Sequence, residues 1–125
     1  MTENEISKIV VDACYKIHLK LGPGLLESVY ETILNHELIK VGLHVEKQKP
    51  VSVLWDGLMM DIGFRPDLII EDKIIVELKS VAEIMPVHKK QLLTYLKLTG
   101  IKLGLLVNFN EALIKTGIIR IANNL

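Results

Sequence analysis

The chain predicts one α/β domain over residues 1–125, a sandwich of helices on a mixed β-sheet. Three observations predict it. First, 47 of the 125 residues are Leu, Ile or Val, and a 14.1 kDa chain with that much branched apolar surface buries roughly two-thirds of its unfolded area without a disulfide or a metal. Second, the apolar period is helical up to residue 41 and alternates from residue 51 onward. Third, a helical stretch lies between two strongly apolar runs, 74–80 and 103–109, which is how parallel neighbouring strands are joined. Nothing in between reads as a linker, a repeat or a low-complexity tract.

Taken in order, Ile6, Ile9, Val10, Ala13, Ile17 and Leu21 recur at helical spacing from Asn4 to Leu21, and Gly22-Pro23-Gly24 ends that helix. A second helix is expected from about Leu25 to Val41, stopped by Gly42. Val51, Val53 and Trp55 then alternate as in a half-buried strand. Asp56-Gly57 is a hairpin turn, and Leu58 to Phe64 returns. Asp67 to Ile70 and Ile74 to Ser80 form a second antiparallel pair around Glu71-Asp72-Lys73. Pro86 sits where the first turn of a helix accepts proline, and Gly100 closes that helix. Leu103 to Phe109 is a central strand, and Ile118 to Ala122 a last short one. The expected order is α-α-β-β-β-β-α-β, with that short strand after it.

Composition narrows the function. Fifteen basic and fifteen acidic residues cancel, so any grip on nucleic acid has to come from a local patch rather than bulk charge. The longest stretch without Asp, Glu, Lys or Arg runs only from Leu103 to Asn110, too short to span a membrane. The polar start MTENEISK predicts no signal peptide, and the single Cys14 excludes an internal disulfide framework and a thiolate zinc cluster; one free thiol fits an expected cytoplasmic location.

Chemistry concentrates in Val76-Glu77-Leu78-Lys79. Alternation sends Glu77 and Lys79 to one sheet face, Val76 and Leu78 to the other. A three-residue turn at 71–73 pairs Ile70 with Ile74 and therefore brings Asp67 opposite Glu77; a two-residue turn would send Asp67 to the wrong face. Two carboxylates so placed repel unless one is protonated or a cation lies between them. Hard oxygen ligands favour Mg2+ or Mn2+, and such an ion with Lys79 suits phosphodiester hydrolysis. A surface ion-pair network is the plainer reading of an isolated Glu-x-Lys.

The ordered set Gly24-Leu25-Leu26-Glu27-Ser28-Val29-Tyr30, Arg65-Pro66-Asp67-Leu68, Val76-Glu77-Leu78-Lys79, Pro86-Val87-His88, Gln91-Leu92-Leu93-Thr94-Tyr95 and Gly104-Leu105-Leu106-Val107-Asn108-Phe109 resembles the PD-(D/E)XK nuclease superfamily, and within it the GxxExxY proteins. The resemblance spans roughly Val10 to Ile121. It implies a restriction-endonuclease-like mixed sheet flanked by helices. It also implies Asp67 and Glu77 as Mg2+ (or Mn2+) ligands with Glu27 as a supporting acid, Lys79 as catalytic lysine, and Gln91 as the helical glutamine beside that lysine.

The remaining side chains admit two readings each. Glu27 sits in a first helical turn, where a carboxylate is also favoured by the helix dipole; Glu31 lies on the same side of that helix. Tyr30 is a substrate contact or, more simply, a core aromatic with its hydroxyl on a polar partner. His88 and Tyr95 share a helix face with Gln91 and are candidate substrate contacts, although a capping role for His88 is the simpler one. Lys89 and Lys90 face solvent or a nucleic-acid backbone. Two functions stand side by side: a metal-dependent nuclease on DNA or RNA, for which cutting a duplex suggests a homodimer, and a catalytically idle nucleic-acid- or protein-binding module that keeps the fold. Action on a small phosphate ester is a third.

Overall fold

A computed structural model describes residues 1–125. Helix α1 spans Glu3–Leu21 and starts where the Thr2 hydroxyl accepts the Glu5 N–H at 3.2 Å. Its buried stripe is Ile6, Val10, Cys14 and Ile17. Helix α2 spans Glu27–Lys40, two residues later than the sequence suggests. Leu25 stays outside because its N–H donates to the Tyr30 hydroxyl at 3.2 Å, which in turn donates to the Gly22 carbonyl at 2.6 Å. The α1–α2 loop is thus pinned to α2 by one tyrosine.

The strands are β1 (Val45–Lys47), β2 (Val51–Trp55), β3 (Leu58–Phe64), β4 (Leu68–Ile70) and β5 (Ile74–Lys79). Helix α3 (Pro86–Thr99), β6 (Leu103–Asn108), the single turn α4 (Ile114–Gly117) and β7 (Ile118–Ala122) complete the chain. The main sheet has the order β1-β4-β5-β6-β7. Strands β5 and β6 are parallel and the other pairs antiparallel, so the mixed sheet and the crossover by α3 are as expected.

Two expectations are corrected. The segment β1 was not read as a strand: its three residues, Val-Glu-Lys, carry one apolar side chain, too little for alternation to register. The four strands expected before α3 do not all join the one mixed sheet either. The β2–β3 hairpin pairs only with itself, and β1 takes the place beside β4. The hairpin keeps much of its apolar surface outside, including Leu54, Leu58 and Trp55, the last 73% exposed.

One sheet face buries Leu68, Ile70, Ile74, Val76 and Leu78 against α1 and α2; the other buries Ile69, Ile75 and Leu106 against Leu92 and Leu96 of α3. The period-two alternation of β5 is what separates these faces. It leaves Glu77 and Lys79 on the α3 side.

Candidate active site

The register is the first element of the site. Leu68 pairs with Val76, Ile69 with Ile75 and Ile70 with Ile74, around a three-residue turn in which Glu71 and Asp72 both take φ 53°. Continuing that register puts Asp67 opposite Glu77. Asp67 precedes β4 rather than opening it. Its Oδ2 accepts the Leu78 N–H at 2.8 Å, which ties the carboxylate to β5 beside Glu77.

Glu77 is only 6% exposed, and its Oε1 is buried without a hydrogen-bond partner. Burial, reinforced by the neighbouring Asp67 carboxylate and partly offset by Lys79, pushes its pKa up to about 9. Lys79, half-buried at the end of β5, makes no ion pair, and neither do Asp67 or Glu77. The surface ion-pair network that would have explained these residues blandly is not what the chain builds.

A second acid comes from α2. Glu31, 7% exposed, faces the same cluster. Burial raises its pKa and the Asp67 charge adds to that, while Gln48 opposes it. The Gln48 amide nitrogen donates to Glu31 Oε1 at 2.7 Å and to Asp67 Oδ1 at 3.0 Å. Its nitrogen has to face both groups, since its oxygen would repel them. Glu27, Ser28, Glu31, Gln48 and Asp67 line a cavity of about 210 Å3 that has no hydrophobic residue in its wall. Glu27 is thus at the site's rim, exposed and without a hydrogen bond, and Glu31 one turn later is the helix carboxylate linked to Asp67.

Helix α3 packs on the sheet face that carries Glu77 and Lys79. Tyr95 stacks on Phe64 with centroids 4.3 Å apart, and burial together with Glu77 and Asp67 raises its pKa. Gln91 is exposed and no hydrogen bond joins it to Lys79, contrary to expectation; its position on the outer turn leaves it facing solvent. The His88 Nδ1 accepts the Met85 N–H at 2.9 Å, so the capping reading holds for that ring nitrogen. Tyr30 is fully buried, stacked on Phe109 at 4.4 Å, with its hydroxyl spent on the loop. The expectation of a substrate contact by Tyr30 is therefore overturned.

Asn108 was not singled out by the sequence. Fully buried, it binds both the N–H and the carbonyl of Val81, at 3.1 and 2.9 Å, and so fixes the chain leaving β5. Gln48 was also missed: it sits in a charged loop with no periodicity, and only the β1–β4 pairing brings it to Asp67.

No three His, Cys, Asp or Glu side chains form a cage for a metal ion on their own. Asp67 and Glu77 still fit a hard dication, because Mg2+ is commonly held by one or two carboxylates and completes its shell with water and substrate oxygens. The unpartnered, buried Glu77 Oε1 is the observation that supports the fit.

A family model described as the PD-(D/E)XK nuclease superfamily matches residues 4–121. The crystal structure of SSO0001 shares this fold with a TM-score of 0.58 and 26% sequence identity, covering 79% of this chain and 51% of that one. The chain therefore spans about half the length of that protein. No curated protein matches it.

Proposed function

This chain belongs to the PD-(D/E)XK nuclease superfamily, and from that premise we propose that it hydrolyses phosphodiester bonds in DNA or RNA. Nucleases of this superfamily generally use divalent metals. Here Asp67 and Glu77 would hold Mg2+ or Mn2+, with Glu31 and Glu27 as neighbouring acids. Such an ion supplies Lewis-acid polarisation of a phosphoryl oxygen and a more acidic water.

The chain's own side chains do the rest. Asp67 is held by Leu78 N–H and by the Gln48 amide, so its carboxylate stands in one orientation. Glu77 has to give up its proton to serve as a charged ligand. The Lys79 ammonium, free of any ion pair, offsets negative charge that develops on the phosphate. Tyr95 lies on the part of α3 close to Glu77 and Asp67, and Gln91 and His88, nearer the start of that helix, would meet a flanking substrate from the solvent side. Residues Gly24 to Tyr30 support placing the chain in the GxxExxY branch. Cutting both strands of a duplex calls for two such sites, and hence a homodimer, which sedimentation at assay concentration reads directly.

The buried, unpartnered Glu77 beside Asp67, on the same face as an unpaired lysine, carries this reading. A cleavage assay with Mg2+ or Mn2+ on single- and double-stranded DNA and RNA tests it. Lys79→Ala and Asp67→Asn are each expected to lower the rate by about 10²-fold or more. Equal rates in all three proteins would assign the activity to a contaminant.

A further inference from the structure

We propose that Gln48 is a positioning residue of the acidic site: its side-chain amide sets the spacing between the Asp67 and Glu31 carboxylates and so presents Asp67 to a divalent ion. The inference rests on the reading of Asp67 and Glu77 as ion ligands.

Local backbone geometry argues that the side chain is the point. Gln48 extends the β1–β4 pairing by one residue beyond Lys47–Leu68, its N–H donating to the Asp67 carbonyl at 3.0 Å. It does so at φ 54°, in the left-handed region. Glycine would make that turn without strain, and asparagine or aspartate with less. What glutamine adds is an amide on a stem long enough to reach across the strand end.

That amide has two N–H groups, and both are used, one on Glu31 and one on Asp67. Leu78 N–H holds the other Asp67 oxygen. Asp67 is therefore fixed at both oxygens, and each oxygen keeps a lone pair for a further ligand. The choice of a neutral donor matters. An amide relieves the repulsion between two carboxylates, whereas a lysine there would neutralise them and compete with a dication.

Calorimetric titration with Mn2+ tests the proposal on wild type, Gln48→Gly and Gln48→Asn. The glycine variant keeps the backbone turn and loses the amide. It is expected to unfold thermally near wild type but to bind Mn2+ about tenfold more weakly, the scale on which second-layer partners act. The asparagine variant, shorter by one methylene, reaches one carboxylate and should fall between. In cleavage assays both should lower kcat more than they raise KM. Wild-type Mn2+ affinity in a folded Gln48→Gly overturns the proposal while leaving the site intact. If Gln48→Gly fails to fold, Gln48→Asn decides, and unchanged affinity there overturns the proposal equally. Absence of saturable Mn2+ binding by wild type overturns the ion-binding reading and this inference with it.

Discussion

A carboxyl group enclosed as Glu77 is, beside a second carboxylate, keeps its proton well above the usual range, to about 9. The unfolded chain releases that proton near 4.5. Between those values the folded state binds more protons, so Glu77 contributes stability that is full below the lower pKa and is lost as pH rises through the upper one. One such proton gives a slope of up to about 1.4 kcal/mol per pH unit. Denaturant unfolding in chelator at pH 5 and pH 8 should show this loss, and Glu77→Gln should flatten it; an equally steep variant would mean that another group is responsible. Because ion binding needs the ionised carboxylate, Mn2+ affinity should rise with pH over the same interval. Cys14 makes a simpler case. Burial pushes its thiol up to about 12, so the native protein should resist a thiol reagent at pH 8 and react only when unfolded.

Among the elements, the hairpin was legible because Asp56 and Gly57 both take positive φ, 49° and 79°, as a tight two-residue turn requires. The β4–β5 register was legible only with the chemistry added: a two- or a three-residue turn fits the apolar runs, and a shared face for Asp67 and Glu77 selects the three-residue turn that the pairing shows. Strand β1 and α4 were not, since three or four residues cannot display a period. The parallel β5–β6 pair depends on close packing of α3. A Cβ on Gly104 would lie 2.9 Å from Leu92 Cγ and 3.0 Å from both of its terminal carbons. Gly104→Ala is therefore expected to cost about 1–3 kcal/mol by overpacking. A denaturation midpoint equal to wild type would show that Leu92 moves freely, and Leu92→Val should recover part of the loss.

Over the whole molecule, fifteen cations balance fifteen anions, and Lys79 at the end of β5 with the exposed Lys89 and Lys90 near the start of α3 are the cations proposed to meet a backbone. Binding to a nucleic-acid backbone should then be weakly salt-dependent. A slope of log K against log salt near about −3 is expected, at roughly one phosphate contact per unit. A slope of −6 or steeper would place a larger basic surface elsewhere on the fold. The candidate site itself draws on positions 31, 48, 67, 77 and 79, from α2, the residue after β1, the residue before β4, and β5. Three of them, 67, 77 and 79, lie within twelve positions of one another across one turn, and alternation with a three-residue turn predicts their shared face. The other two arrive from a helix across the sheet and from a loop after a strand too short to read.

Local order along the chain is enough to establish the helix and strand periods, the hairpin and the common face of Glu77 and Lys79; with a three-residue turn at 71–73 it also predicts Asp67 there. These follow from steric rules that act over a few residues. The packed fold alone decides that Glu31 rather than Glu27 is tied to Asp67, that Gln48 bridges them, and that Tyr30 is spent on a loop. Burial and hydrogen bonding between distant segments make those choices, and neither quantity exists until the sheet and its helices have closed on each other.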